Sequence, residues 1–234
     1  MGLTIQYTLL VDRKLAGAVV RELVERAAQY ARKIGCAEVG PVLPVAADTP
    51  GTFWHVQYER QGERYVRSIP AKRGWVVEVW PGEGCESALF GLCQYPRTTP
   101  PLPFGMSTGL GSGWVLKNYC KTQYASEQGW EHFLRCHKMI LSILKFWRQM
   151  GVHVEVNDEG EYWETGSEKK LRAALDGYNG LVAALAGAFK DASDASGKGG
   201  SVESPIFARS DFERLEAQGW QEFGKKLSQL RAAL

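Results

Sequence analysis

Hydrophobic and polar positions alternate from Leu3 to Leu10: Leu3, Ile5, Tyr7 and Leu9 fall on one side and Thr4, Gln6 and Thr8 on the other. That period of two predicts a strand with one buried face. The spacing then changes. Ala16, Val20, Leu23, Ala27, Ala31 and Ile34 recur at helical intervals, predicting a helix over 13–34 that ends at Gly35. Between Gly51 and Pro96 the alternation returns in four runs. FWHVQYE and ERYVRSI flank a turn at Gln61-Gly62, and GWVVEVW and ESALFGLC flank Pro81-Gly-Glu-Gly84. The last run is apolar on both sides, which places it inside a sheet.

A second strand–helix–strand series follows: WVLKNYCKTQYA over 114–125, a helix over 128–150, and VHVEV over 152–156. It echoes the opening strand and helix and suggests two βαβ-like halves. A further helix is predicted over 167–189, with Thr165 and Glu168 at capping-box spacing. DASDASGKGGSVES reads as a flexible linker by composition. The last helix starts from a second capping box at Ser210. Its stripe of Phe212, Leu215, Gly219, Phe223, Leu227, Leu230 and Leu234 makes it amphipathic. The fold class is therefore α+β: a mixed or mainly antiparallel sheet covered on one face by helices, with a tethered C-terminal helix. The expected divisions are a single domain over 1–190, a linker over 191–206 and the helix over 207–234.

Composition narrows the function classes. With 28 basic and 26 acidic residues the net charge is +2, so nucleic acid is not indicated as a partner. No apolar run reaches the roughly 20 residues of a membrane span, and MGLTIQYTLLVDRK lacks the layout of a signal peptide. The five cysteines, Cys36, Cys85, Cys93, Cys120 and Cys136, include no CxxC pair, and each reads as a small buried hydrophobe. A reducing cytoplasm fits that usage best. No cofactor is implied.

The candidate chemistry lies on strands. If valines 152, 154 and 156 face a covering helix, His153, Glu155 and Asn157 share the other face. The same rule groups Lys117, Tyr119, Lys121 and Gln123, adds Thr4, Gln6 and Thr8, and brings in His55 and Gln57 from the meander. One sheet would then carry two histidines, two lysines, a tyrosine and a glutamate on its open face. The acidic turn after Asn157 adds Asp158 and Glu159 at the rim.

Two readings follow. The first is an intracellular binding or interaction module that uses the polar face and the Pro/Gly-rich loop over 96–113. Lys117, Tyr119, Gln123, Asn157, Asp158 and Glu159 would contact a ligand or protein partner. The alternative is a hydrolase, phosphoesterase-like in having one histidine per half. His55, His153 and Lys121 would serve acid–base and anion-binding roles, and Glu155 would orient a histidine. HVQ at His55 and HVE at His153 lack the hydroxyl that two-histidine phosphoesterases carry two residues on. HExxH and GxxxxGK[ST] are absent from the sequence, and GMSTGLGSG feeds a strand rather than a helix. His132 and His137 stand about 140° apart around their helix, so they do not form a metal pair. Ala173, Gly177, Gly180, Ala184 and Gly187 line one helix face and invite close approach by the C-terminal helix or by a second copy in a homodimer.

Overall fold

The computed structural model describes residues 3–12, 14–60, 62–98, 107–110, 113–196, 205–208 and 212–232. Two compact units emerge, one spanning 4–158 and the other containing Leu3 and the residues from Glu159 onward. The sequence pattern places a boundary after 190, and the units divide between Asp158 and Glu159.

In the first unit the opening alternation becomes β1 (Thr4–Val11) and the helical period becomes α1 (Gly17–Lys33). Two short strands follow, β2 (Glu38–Val39) and β3 (Leu43–Pro44), which carry too few residues for a periodic signal. The meander resolves into β4 (Trp54–Arg60), β5 (Glu63–Ile69), β6 (Arg73–Trp80) and β7 (Ala88–Gln94). Then come β8 (Trp114–Lys121), α2 (Trp130–Gln149) and β9 (His153–Asp158).

All pairings are antiparallel, and the main sheet runs β2-β6-β7-β8-β1-β9, with β3 also paired to β6. Because β8 and β9 both oppose β1, they are parallel to each other. Helix α2 crosses between them and β1 fills the gap, which is a split β-α-β unit. By the same reasoning β1 and β2 are parallel and α1 joins them. The two halves expected from the sequence therefore exist as two crossovers, interleaved in one sheet. The pair β4-β5 stands apart as its own two-stranded hairpin.

Helices α1 and α2 cover one sheet face and stack Tyr30 on Phe146 at 4.3 Å. Under them lie Ile5, Tyr7, Leu9, Val77, Phe90, Leu92, Leu116 and Val154, met by Val20, Val24 and Ala27 of α1 and Phe133, Ile140 and Trp147 of α2. Each such aliphatic or aromatic side chain contributes roughly 1.5–3 kcal/mol on full burial. On the other face the β6-β7 end is covered too. Val76, Cys93 and Val115 form a smaller core with Ala71 and Tyr95, packed by Trp54, Val45 and Leu110. The β8-β1-β9 end of this face carries polar residues.

Buried acids give this unit a pH signature. Burial pushes the Cys93 thiol from 9.0 up to about 12 and raises the Tyr7 and Tyr95 phenols above 10.0. A raised folded-state pKa adds stability that is complete below the unfolded value and disappears as pH climbs through the folded one. Urea midpoints should thus fall steadily above pH 9 to 10, and a flat midpoint to pH 11 would contradict the burial of these groups.

The second unit contains α3 (Tyr162–Thr165), α4 (Glu168–Ser196), a 3-10 turn at Pro205–Ala208 and α5 (Phe212–Ala232). Ser167, not Thr165, caps α4: the Lys170 N–H donates to Ser167 Oγ at 3.3 Å. Helix α4 continues past Asp191 to Ser196. Asp191 to Ser196 holds two alanines and no glycine or proline, so the helix meets no breaker before Gly197. The rest of the expected linker, and Ser210 with its capping box, lie outside the described residues.

Helices α4 and α5 pack where their glycines meet. A Cβ on Gly180 would sit 3.3 Å from both the Gly219 nitrogen and the Leu215 carbonyl. The small-residue stripe thus receives the C-terminal helix of its own chain. Ala183, Ala186, Ile206 and Leu215 form the buried cluster beside this crossing. The larger apolar residues of α4 are divided: Leu171 and Leu175 are buried, whereas Leu185 and Phe189 are exposed, as are Trp220 and Phe223 of α5.

Candidate functional site

Strand register fixes the polar face row by row. Thr8 lies opposite Lys117 on one side and Glu155 on the other; Gln6 lies between Tyr119 and Asn157; Thr4 opposes Lys121; Leu10 lies between Val115 and His153. Directly paired residues share a face, so Lys117, Tyr119, Lys121, His153, Glu155 and Asn157 project to the same side, as the alternation required. Gln123 does not join them. The strand ends at Lys121, and Gln123 begins a 3-10 turn over Gln123–Gln128 in which it is buried. Thr122 causes the break: its backbone leaves the extended region, and its hydroxyl pairs with His137 inside the core.

The β4-β5 hairpin brings His55 to this face from outside the sheet. Between hairpin and strands lies a cleft of about 1080 Å³ lined by Phe53, Trp54, His55, Gln57 and Val66 on one side and by Thr4, Gln6, Lys117, Tyr119 and Lys121 on the other. Trp54 is held in place by Tyr95, the ring centroids 5.9 Å apart. His55 Nδ1 lies 3.0 Å from the hydroxyl of Ser68, its cross-strand partner. Asn118 ties the sheet to the approach to β4 through Nδ2, which donates to the Gly51 carbonyl at 3.1 Å.

The charges in the cleft are unequal. Lys121 ion-pairs with Glu86 at 2.8 Å, and that hydrogen bond raises its pKa. Its ammonium also lies 5.5 Å from the Tyr119 ring centroid. Lys121 is thus a cation held by an internal counter-ion and a poor proton acceptor at neutral pH. Lys117 is exposed and makes no ion pair among the described residues. The Tyr119 ring is 48% exposed. The cleft therefore offers one unpaired cation, one open aromatic face and a wall of hydrophobic rings.

The structure separates the four residues of the hydrolase reading. His55 and Lys121 line the cleft, whereas His153 pairs with Glu155, Nε2 to Oε1 at 3.4 Å, and borders a different hollow with Leu10, Val11, Asp12 and Gly151. Along β1 the row of His153 is six residues from that of Lys121, roughly 20 Å at 3.3 Å per residue.

The acidic turn also disperses. Asp158 points inward, its side chain fully buried, and its Oδ2 lies 3.2 Å from His137 Nε2. Glu159 neighbours Tyr178 and, after burial, helps raise its pKa. Glu161 adopts a left-handed backbone, φ 54°, and ion-pairs with Lys170 at 2.9 Å. Asp158 is therefore a core partner and not a ligand contact. His137 is likewise a hydrogen-bonded core histidine, while His132 faces the Glu83 carbonyl on another side of α2.

Of the Pro/Gly-rich loop, 99–106 and 111–112 lie outside the described residues. Its base is closed by a bridge between Thr98 and Ser107 and by the Thr108 hydroxyl, 2.8 Å from the Pro96 carbonyl. Phe53, Trp54 and Val66 were missed in the sequence. Apolar residues at strand positions read as core until the hairpin is seen to stand off the sheet. Among the described residues no helix is long and apolar enough to cross a membrane, and no cluster of His, Cys, Asp and Glu has the arrangement of a metal site. Comparison of the chain with protein-family models, curated proteins and solved structures finds no match.

Proposed function

We propose that this protein is a binding module whose hairpin–sheet cleft takes a ligand combining a planar ring with a negative group. The observation that carries the reading is the placement of Lys117, which makes no ion pair among the described residues, beside the exposed Tyr119 two residues along the same strand face. A planar group stacks on an open aromatic ring, and an anion beside it meets the lysine. Gln6, Gln57 and His55 supply hydrogen-bonding groups around them. The hydrolase alternative has less support, because its two histidines border different hollows. The reading places the protein in a reducing, intracellular compartment, where its five free thiols persist.

The test is a titration with 1-anilinonaphthalene-8-sulfonate, a fluorescent planar anion, monitored by dye emission and by quenching of tryptophan. Tyr119→Ala and Lys117→Ala should each weaken binding by about tenfold, the size of a lost contact worth 1.4 kcal/mol. His153→Ala, outside the cleft, should leave it unchanged. Equal affinity in all four proteins would show that the dye binds elsewhere and would remove the basis of the proposal.

A further inference from the structure

The β4-β5 hairpin is anchored at its base, where Trp54 packs on the smaller core and its cross-strand partner Ile69 is buried. Further along, β5 lies open: Tyr65 is 39% exposed and Val66 62%, and Glu63 and Arg64 are exposed as well. A two-stranded ribbon is marginal by itself in water, and a third strand or a covering element is what stabilises one. Among the described residues no third strand joins this hairpin.

The ladder shows where a strand would add. Arg60 and Glu63 pair with two residues between them, a spacing at which the closing pair exchanges its hydrogen bonds. Every second pair then does the same: Tyr58 with Tyr65, Val56 with Arg67 and Trp54 with Ile69. The residues between them turn their N–H and C=O groups outward, so the outer edge of β5 presents those of Arg64, Val66 and Ser68. That edge has what pairing requires: seven residues, no proline or glycine, and an unbroken register. Strand β4 differs in keeping Trp54, Val56 and Tyr58 half-buried. The edge of the main sheet at β9 differs too, since Arg148 donates to the Val154 carbonyl at 3.2 Å.

We infer that β5 is an interface between two copies of this chain, the strands pairing antiparallel about a two-fold axis at Val66. The outward groups fit this register, because Val66 meets Val66 and Arg64 meets Ser68 as hydrogen-bonded pairs. Tyr65 then opposes Arg67. Its ring stacks on Tyr58 at 5.3 Å and its hydroxyl donates to Glu63 at 2.6 Å, so the open ring face turns away from β4, toward the arriving guanidinium. Glu63 opposes Ile69, and in none of the seven rows do like charges stand opposite each other. An axis at Arg64 or Arg67 would set two guanidiniums against each other, and one at Tyr65 would pair 63–67 alone. The product is a four-stranded sheet, β4-β5-β5-β4, in which both open β5 edges are satisfied. The same axis brings Arg64 of the second copy opposite Ser68, whose hydroxyl lies 3.0 Å from His55 Nδ1 at the wall of the cleft.

The experiment is sedimentation velocity on the full chain from micromolar to submillimolar concentration, with cysteine cross-linking to read the register. The mass should rise with concentration from 26.0 kDa toward twice that value. Val66→Lys sets two ammonium groups against each other at the axis and should hold the chain at one copy throughout. Far-UV circular dichroism verifies that this variant keeps its fold, as expected at so exposed a position. Val66→Cys places two thiols across a hydrogen-bonded pair whose Cα atoms lie about 5.5 Å apart, within the span of a disulfide. Mild oxidation should give a covalent dimer that mass spectrometry maps to position 66. Ser68→Cys, which meets Arg64 and not itself, should give none. A wild-type chain that sediments as one copy at every concentration would overturn the inference. So would a dimer that survives Val66→Lys, or one that cross-links through Ser68→Cys in preference to Val66→Cys.

Discussion

Replacing His137 with leucine should lower the unfolding free energy of the first unit by about 2–4 kcal/mol, among the largest single losses available to it. The imidazole is fully buried and hydrogen-bonds on both sides, Nδ1 to the Thr122 hydroxyl at 2.9 Å and Nε2 to the Asp158 carboxylate at 3.2 Å. It joins the end of β8, the inner face of α2 and the end of β9. Leucine fills nearly the same space but offers neither bond. A hydrogen bond to a charged group is worth about 1.5–3 kcal/mol and a neutral one about 1, and a buried carboxylate facing hydrocarbon adds a desolvation cost. The double variant His137→Leu/Asp158→Leu should recover part of the loss, because removing both partners leaves no carboxylate facing the leucine. Urea denaturation of the wild type, both single variants and the double variant gives the coupling directly. Singles within 0.5 kcal/mol of wild type, a change typical of surface sites, would show that the buried network contributes little.

The second large effect concerns the crossing of α4 and α5. A Cβ built on Gly219 would collide with the Gly180 carbonyl and lie 2.8 Å from the Ala184 Cβ. Both obstacles are short and one is backbone, so neither can swing aside. Gly219→Leu should force the helices apart at a cost of about 1–3 kcal/mol or more. Once released, α5 is a 21-residue helix without a packing surface, and helices of that size are marginal alone in water. Far-UV ellipticity should fall, and protease cleavage within 212–232 should rise. A Cβ added at Gly224, on the same helix, would have open space around it. Gly224→Ala should therefore stabilise by up to about 1 kcal/mol through propensity alone. Opposite signs five residues apart would tie the loss to the crossing. A Gly219→Leu protein with unchanged ellipticity and melting temperature would show that the helices are not packed there.

Periodicity carried the sheet a long way. The alternations over Leu3–Leu10, the second half of the meander and VHVEV each mark a strand with a buried side, because one side had to be apolar to pack on α1 and α2. What periodicity could not register was any event decided by a single contact. Thr122 ends β8 by turning its hydroxyl to His137, so Gln123 and Tyr124 exchange the faces that alternation assigned them. Asp158 looked like one more carboxylate in a turn. Its inward orientation follows from its register opposite Ile5, a core position, and from a histidine 21 residues earlier on the covering helix. The hairpin's separation from the main sheet was equally invisible. Its strands alternate as any strand does, and only pairing shows that His55 reaches the cleft from the side opposite the lysines.

The position of β1 has a consequence for the order in which the chain is made. Strand β1 leaves the ribosome before both strands that flank it in the sheet, Thr4 pairing with Lys121 and Ile5 with Asp158. Its partners emerge more than a hundred residues later, which at ordinary synthesis rates means a delay of roughly 10–30 s. The β4-β5 and β6-β7 hairpins pair with near neighbours and can close during that interval. Throughout it Ile5, Tyr7 and Leu9 belong to a strand with no edge to join. The nascent chain thus carries an unsatisfied apolar strand until β9 is complete, and that segment is where a chaperone or an aggregating neighbour would bind.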